Sequence, residues 1–147
     1  MGTDDIAFLT AGHTPTATDV VAWRERLALR HDAAIALGHM GGTALVPRNK
    51  TGWFPEELTT MWIPRATPEL LAFTAVNSAA RTTVAPVRAH EALSRLMQCS
   101  PWVALEAEFA DEHLALMTRL VLQTRAFSVS LGRDLFDRPD LLLELVA

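Results

Sequence analysis

Two short runs limit what this chain can fold into: Ala44-Leu45-Val46-Pro47-Arg48 and Met61-Trp62-Ile63-Pro64-Arg65. Each is three apolar residues stopped by a proline. Proline has no N–H to donate and fixes φ, so such a run suits a strand end or a sheet edge and not a central strand or helix interior. Gly38, Gly41 and Gly42 stand just before the first run. Residues 40–66 are therefore expected to interrupt any helical architecture. A structureless insertion of that length is uncommon in a compact domain, which predicts local structure: short strands near 43–46 and 59–63, and a helical turn over Pro55-Glu56-Glu57-Leu58.

Outside this insertion the pattern reads as helix. Val20, Trp23, Leu27 and Ala34 recur at helical spacing, predicting a helix over 19–37 that stops at Gly38. Thr67-Pro68-Glu69-Leu70 places a capping residue before a proline at the first helical position, predicting a helix to about residue 80. A further helix is expected over 86–97, and a short one over 138–146. Residues 102–131 fit two descriptions. Their Ala, Leu, Glu, Met and Arg content, with acids early and arginines late, favours one long helix. Their period-two apolar pattern also allows a hairpin turning at 110–113. The expected fold is thus mainly α: a helical bundle-like single domain, 1–147, of four to five helices with a short β-hairpin or irregular insertion at 40–66. The alternative is α+β with a C-terminal hairpin in 102–131.

Composition narrows the functional classes. The chain has 147 residues, half of them hydrophobic and a fifth charged, as expected of a folded domain. Its net charge of −4 argues against nucleic acid as a partner, because phosphate neutralisation needs clustered cations. A lone cysteine, Cys99, rules out an internal disulfide or a multi-thiolate metal site and fits a reducing cytoplasm. No apolar run approaches the ~20 residues that span a bilayer, and no basic-then-apolar leader opens the chain, so no membrane association is expected. Surplus apolar residues on several expected helices would be buried by a homodimer.

Two places can hold chemistry. In the expected first helix, Arg24 and His31 are seven residues apart, within about 20° of one face. An arginine can hold an anion while a histidine exchanges protons. The spacing resembles the Arg, four-to-six residues, His motif of the HEPN ribonucleases. That resemblance implies catalytic roles for Arg24 and His31 on a phosphodiester or other acidic substrate. Arg26 meets a shorter spacing but would point about 140° away from His31. The second place is the insertion, where Arg48, Lys50 and Arg65 flank Trp53 and Phe54, a seat for an anionic, partly apolar small molecule or a protein partner. The plainer reading is that the aromatics pin a connector while the cations stay in water. His90-Glu91 and Glu112-His113 lack the Glu-x-x-His and HExxH spacings, so no metal or other cofactor is expected. The leading expectation is a binding or regulatory module, with the Arg24/His31 enzyme as the alternative. If Lys50 and Trp53 turn together toward the His31 face, the insertion is a site.

Overall fold

The long first helix does not form: in a computed structural model of the chain, residues 18–22 and 27–30 are strands and 31–36 a six-residue helix, while 23–26 lie outside the described residues. The structure describes residues 7–22, 27–36, 38, 41–45, 50–54, 57, 63, 65–100, 107–138 and 140–146. Among these the strands are β1 Ala7–Ala11, β2 Thr18–Ala22, β3 Leu27–Arg30, β4 Thr43–Leu45, β5 Lys50–Trp53, β6 Arg65–Ala66, β7 Leu70–Val76, β8 Thr83–Pro86 and β9 Arg125–Leu131. The α-helices are α1 His31–Ala36, α2 Ala89–Cys99, α3 Ala110–Gln123, α4 Asp134–Asp137 and α5 Leu141–Val146. The architecture is α+β with three three-stranded sheets, which overturns both the mainly α bundle and the description of the chain as helical.

The chain divides into two units, Met1–Phe8 with Val20–Ala66, and Leu9–Asp19 with Thr67–Ala147. In the first, β5 is the centre of the sheet β3-β5-β4, antiparallel to both neighbours. The strand expected at 43–46 is β4, whereas the strand expected at 59–63 and the turn expected over 55–58 fall largely outside the described residues. A second sheet has the order β1-β2-β6, with β2 antiparallel to β6 through Val20–Ala66 and Val21–Arg65. Trp53 is buried in this unit, and Gly42 lies against its indole with φ +86°. A β-carbon at Gly42 would stand 2.4 Å from Trp53 Nε1, so both the backbone conformation and the space demand glycine there.

In the second unit the last strand enters the middle of its sheet. The order is β7-β9-β8, with β9 parallel to β7 from Leu70–Arg125 to Val76–Leu131 and antiparallel to β8. β7 was expected as helix. Its cap-then-proline signal has another use: Thr67 Oγ1 donates to the buried Asp19 carboxylate at 2.6 Å, and Pro68 O accepts from Gln123 Nε2 at 3.2 Å. With Phe73, Thr74 and Val76 in the run, pairing along all seven residues of β9 outweighs the helix preference of Leu and Ala.

The helix expected over 86–97 forms as α2, following β8 after only two residues. The 102–131 segment is neither one helix nor a hairpin. Residues 110–113 begin α3, which stops at Thr124, and β9 follows at once; 101–106 lie outside the described residues. Thr124 Oγ1 and N both bond back to Leu120 O, closing the last turn.

Helix α3 buries Leu116, Met117, Leu120 and Val121, one stripe at helical spacing, and α2 packs on it with Ala92 wholly enclosed. Val129 in β9 is 1% exposed, and burying it is worth roughly 1.5–3 kcal/mol. Gln123 pins the segment 9–19: its Oε1 accepts from Thr18 N at 2.7 Å and its Nε2 donates to Thr18 O at 2.8 Å. No helix among the described residues is long and apolar enough to cross a membrane.

Candidate functional site

Of the site residues read from sequence, His31, Lys50, Trp53, Phe54 and Arg65 are described, all in the first unit, and they do not share one face. Lys50 and Trp53 belong to β5, three residues apart, so strand alternation sends their side chains to opposite faces. Trp53 shares a face with Thr51, whose hydroxyl lies 3.2 Å from His31 Nδ1; Lys50 is opposite Arg30 on β3. Phe54 follows the strand, its N–H donating to Glu57 Oε2 at 2.6 Å, and Arg65 sits in β6, in another sheet. Arg24 and Arg48 lie outside the described residues. His31 opens α1 directly after β3, so the helical spacing that put Arg24 and His31 on one face does not apply between them.

Polar groups converge instead in the second unit, beyond the carboxyl ends of β7 and β9. These strands run parallel and end side by side at Val76 and Leu131, so the loops 77–82 and 132–134 leave the sheet together. The two loops are locked to one another. Asn77 N donates to Leu131 O at 3.1 Å, Arg133 N to Ala79 O at 3.1 Å and Asp134 N to Ala80 O at 3.1 Å. Asn77 Oδ1 accepts from Ala79 N at 2.8 Å while its amide donates to Ser130 Oγ.

Thr82 and Asp134 form the centre of this clasp. Thr82 N donates to both Asp134 carboxylate oxygens at 2.9 Å, and Thr82 Oγ1 donates to Oδ1 at 2.7 Å. The same hydroxyl accepts from Gly132 N at 2.9 Å. The Thr82 hydroxyl, and then its N–H, hold the Asp134 carboxyl below its ordinary range. Gly132 is buried, and a β-carbon there would lie 2.3 Å from Arg81 C and 2.6 Å from Thr82 N, both backbone atoms. Glycine is required so that the two loops can touch.

This clasp carries two arginines on adjoining backbone, Arg81 and Arg133. Both are exposed, and neither has an ion pair or side-chain hydrogen bond among the described residues. The N–H groups of Ser78, Ala80 and Arg81 likewise have no hydrogen-bond partner there. The Asp134 carboxylate is committed to Thr82 and, with its lowered pKa, is a weak proton acceptor. Two guanidiniums unpaired among the described residues, carried on loops with unused amides, are groups that suit an anion: guanidinium forks match carboxylate and phosphate oxygens, and backbone amides are further donors.

No three His, Cys, Asp or Glu side chains come together in a metal-holding group among the described residues. No family model, curated protein or solved structure matches the chain. The clasp was missed in the sequence because its residues are split between Asn77-Ser78-Ala79-Ala80-Arg81-Thr82 and Gly132-Arg133-Asp134. The one local signal is that both stretches are rich in turn formers.

Proposed function

We propose that the chain is a binding module for a small anionic ligand, a phosphate or carboxylate group, held at the clasped loops 77–82 and 132–134. The observation that carries this reading is the pair of exposed guanidiniums on Arg81 and Arg133, unpaired among the described residues, on loops whose backbones the Thr82–Asp134 bonds hold together. A surface arginine normally stays mobile, and ordering it for a ligand costs entropy. Anchoring both backbones beforehand removes part of that cost. The module is proposed to act as a homodimer in the cytoplasm, a setting that suits the exposed free thiol of Cys99.

Calorimetric titration with inorganic phosphate and pyrophosphate tests the site. Arg81→Ala with Arg133→Ala is expected to weaken binding on the order of 10²-fold or more, since a hydrogen bond to a charged group is worth about 1.5–3 kcal/mol. Equal affinities in the wild type and the double variant, or no binding by the wild type at millimolar ligand, would remove this reading.

A further inference from the structure

The sheet of the second unit has an open side. In the β7/β9 ladder the bonds at the two ends, Asn77 N to Leu131 O and Glu69 O from Arg125 N, fix which residues of β7 face β9. Odd-numbered positions do so. Alternation then turns the N–H and C=O of Leu70, Ala72, Thr74 and Val76 to the side away from β9. No hydrogen bond to any described residue closes that side. Ala72, Thr74 and Val76 are also exposed, Val76 by 86%. The strand has no charge, proline or bulge to discourage pairing, the devices by which edge strands are normally protected.

We propose that β7 pairs antiparallel with β7 of a second copy, joining two three-stranded sheets into one of six across a twofold axis at Phe73. The proposal goes beyond the ligand site and rests on the homodimer reading, to which it assigns a seam. The register is self-complementary. With Phe73 opposite Phe73, Leu70 faces Val76 and Ala72 faces Thr74, so every outward N–H and C=O meets a counterpart. The apolar and β-branched side chains of Leu70, Thr74 and Val76 form cross-strand pairs of the stabilising kind. Charge also favours this direction. Glu69, exposed and without an ion pair among the described residues, comes opposite the uncharged Asn77 of the other copy. Parallel pairing would set Glu69 beside Glu69.

Thr74→Pro tests the seam. Its N–H points away from β9, so proline there deletes no bond of the β7/β9 ladder and blocks only the proposed pairing. The readout is molar mass by light scattering, in reductant because Cys99 is exposed, with circular dichroism to check the fold. Wild type is expected to be dimeric at tens of micromolar, and folded Thr74→Pro monomeric. A monomeric wild type overturns the homodimer reading and the seam together. A dimeric, folded Thr74→Pro overturns the seam alone. Should Thr74→Pro unfold, Thr74→Lys is expected to weaken the dimer and Ala72→Glu added to it to restore it, because this register places 72 opposite 74. Failure of that restoration likewise overturns the seam.

Discussion

Replacing Gly132 by alanine probes the clasp with a single methyl group. The added β-carbon would lie 2.3 Å from Arg81 C, 2.5 Å from Arg81 O and 2.6 Å from Thr82 N, against about 3.4 Å for ordinary contact. All three are backbone atoms, so no side chain can rotate away and the loops must separate by about 1 Å. That separation stretches three short bonds: Gly132 N to Thr82 Oγ1, Arg133 N to Ala79 O and Asp134 N to Ala80 O. At about 1 kcal/mol for each, the loss is about 3 kcal/mol, within the range observed when groups are forced into filled space. For a unit of 60–100 residues, the size of the second unit, this lowers the melting temperature by roughly 12–24 °C. Thermal unfolding followed by circular dichroism reads it, and phosphate affinity is expected to fall as well, because Arg81 and Arg133 no longer share a fixed base. If Gly132→Ala melts within about 3 °C of wild type, the loops are not locked in the way described.

Asp134→Asn is expected to destabilise the protein at neutral pH, because an amide presents a donor where Thr82 N–H and Oγ1–H both need acceptors. The folded carboxyl titrates below its ordinary 3.8, so its contribution is complete above that value and disappears as pH falls through the folded pKa. The gap between wild type and variant in urea unfolding should therefore close toward low pH, and a gap that widens there would contradict the assignment. Gln123→Leu should cost about 3 kcal/mol, since Thr18, wholly buried, loses a partner for both its N–H and its C=O. A shift in the urea midpoint equivalent to less than 1 kcal/mol would mean that the 9–19 segment is held by something else.

Part of this fold is legible in the sequence, and the part that is not has a common cause. Helix α2 falls where Ala89, Leu93, Leu96 and Met97 repeat at helical spacing, and β4 falls where a proline closes a short apolar run. β7 and β9 are not legible, because their stabilisation comes from pairing partners about 55 residues away in the chain. Leu70-Leu71-Ala72 reads as helix by itself and becomes strand only beside Arg125-Ala126-Phe127. The cap signal at Thr67-Pro68 misled for the same reason: its hydroxyl and carbonyl are used by Asp19 and Gln123. The candidate site follows this pattern. Arg81 and Arg133 are unremarkable surface residues until β9 inserts beside β7 and brings their loops together. Lys50 and Trp53 look adjacent in sequence but are separated by the pleat of β5.

The central claim is that the clasped loops bind an anion through Arg81, Arg133 and the amides of Ser78, Ala80 and Arg81, which have no partner among the described residues. Nitrogen-15 NMR during a phosphate titration tests it residue by residue. The expected result is saturable shifts concentrated on the amides of 78–81 and 132–134, abolished by Arg81→Ala with Arg133→Ala. Saturation with those amides unmoved, and with shifts centred instead on His31, Lys50 and Trp53, would contradict the account and place the binding surface in the first unit.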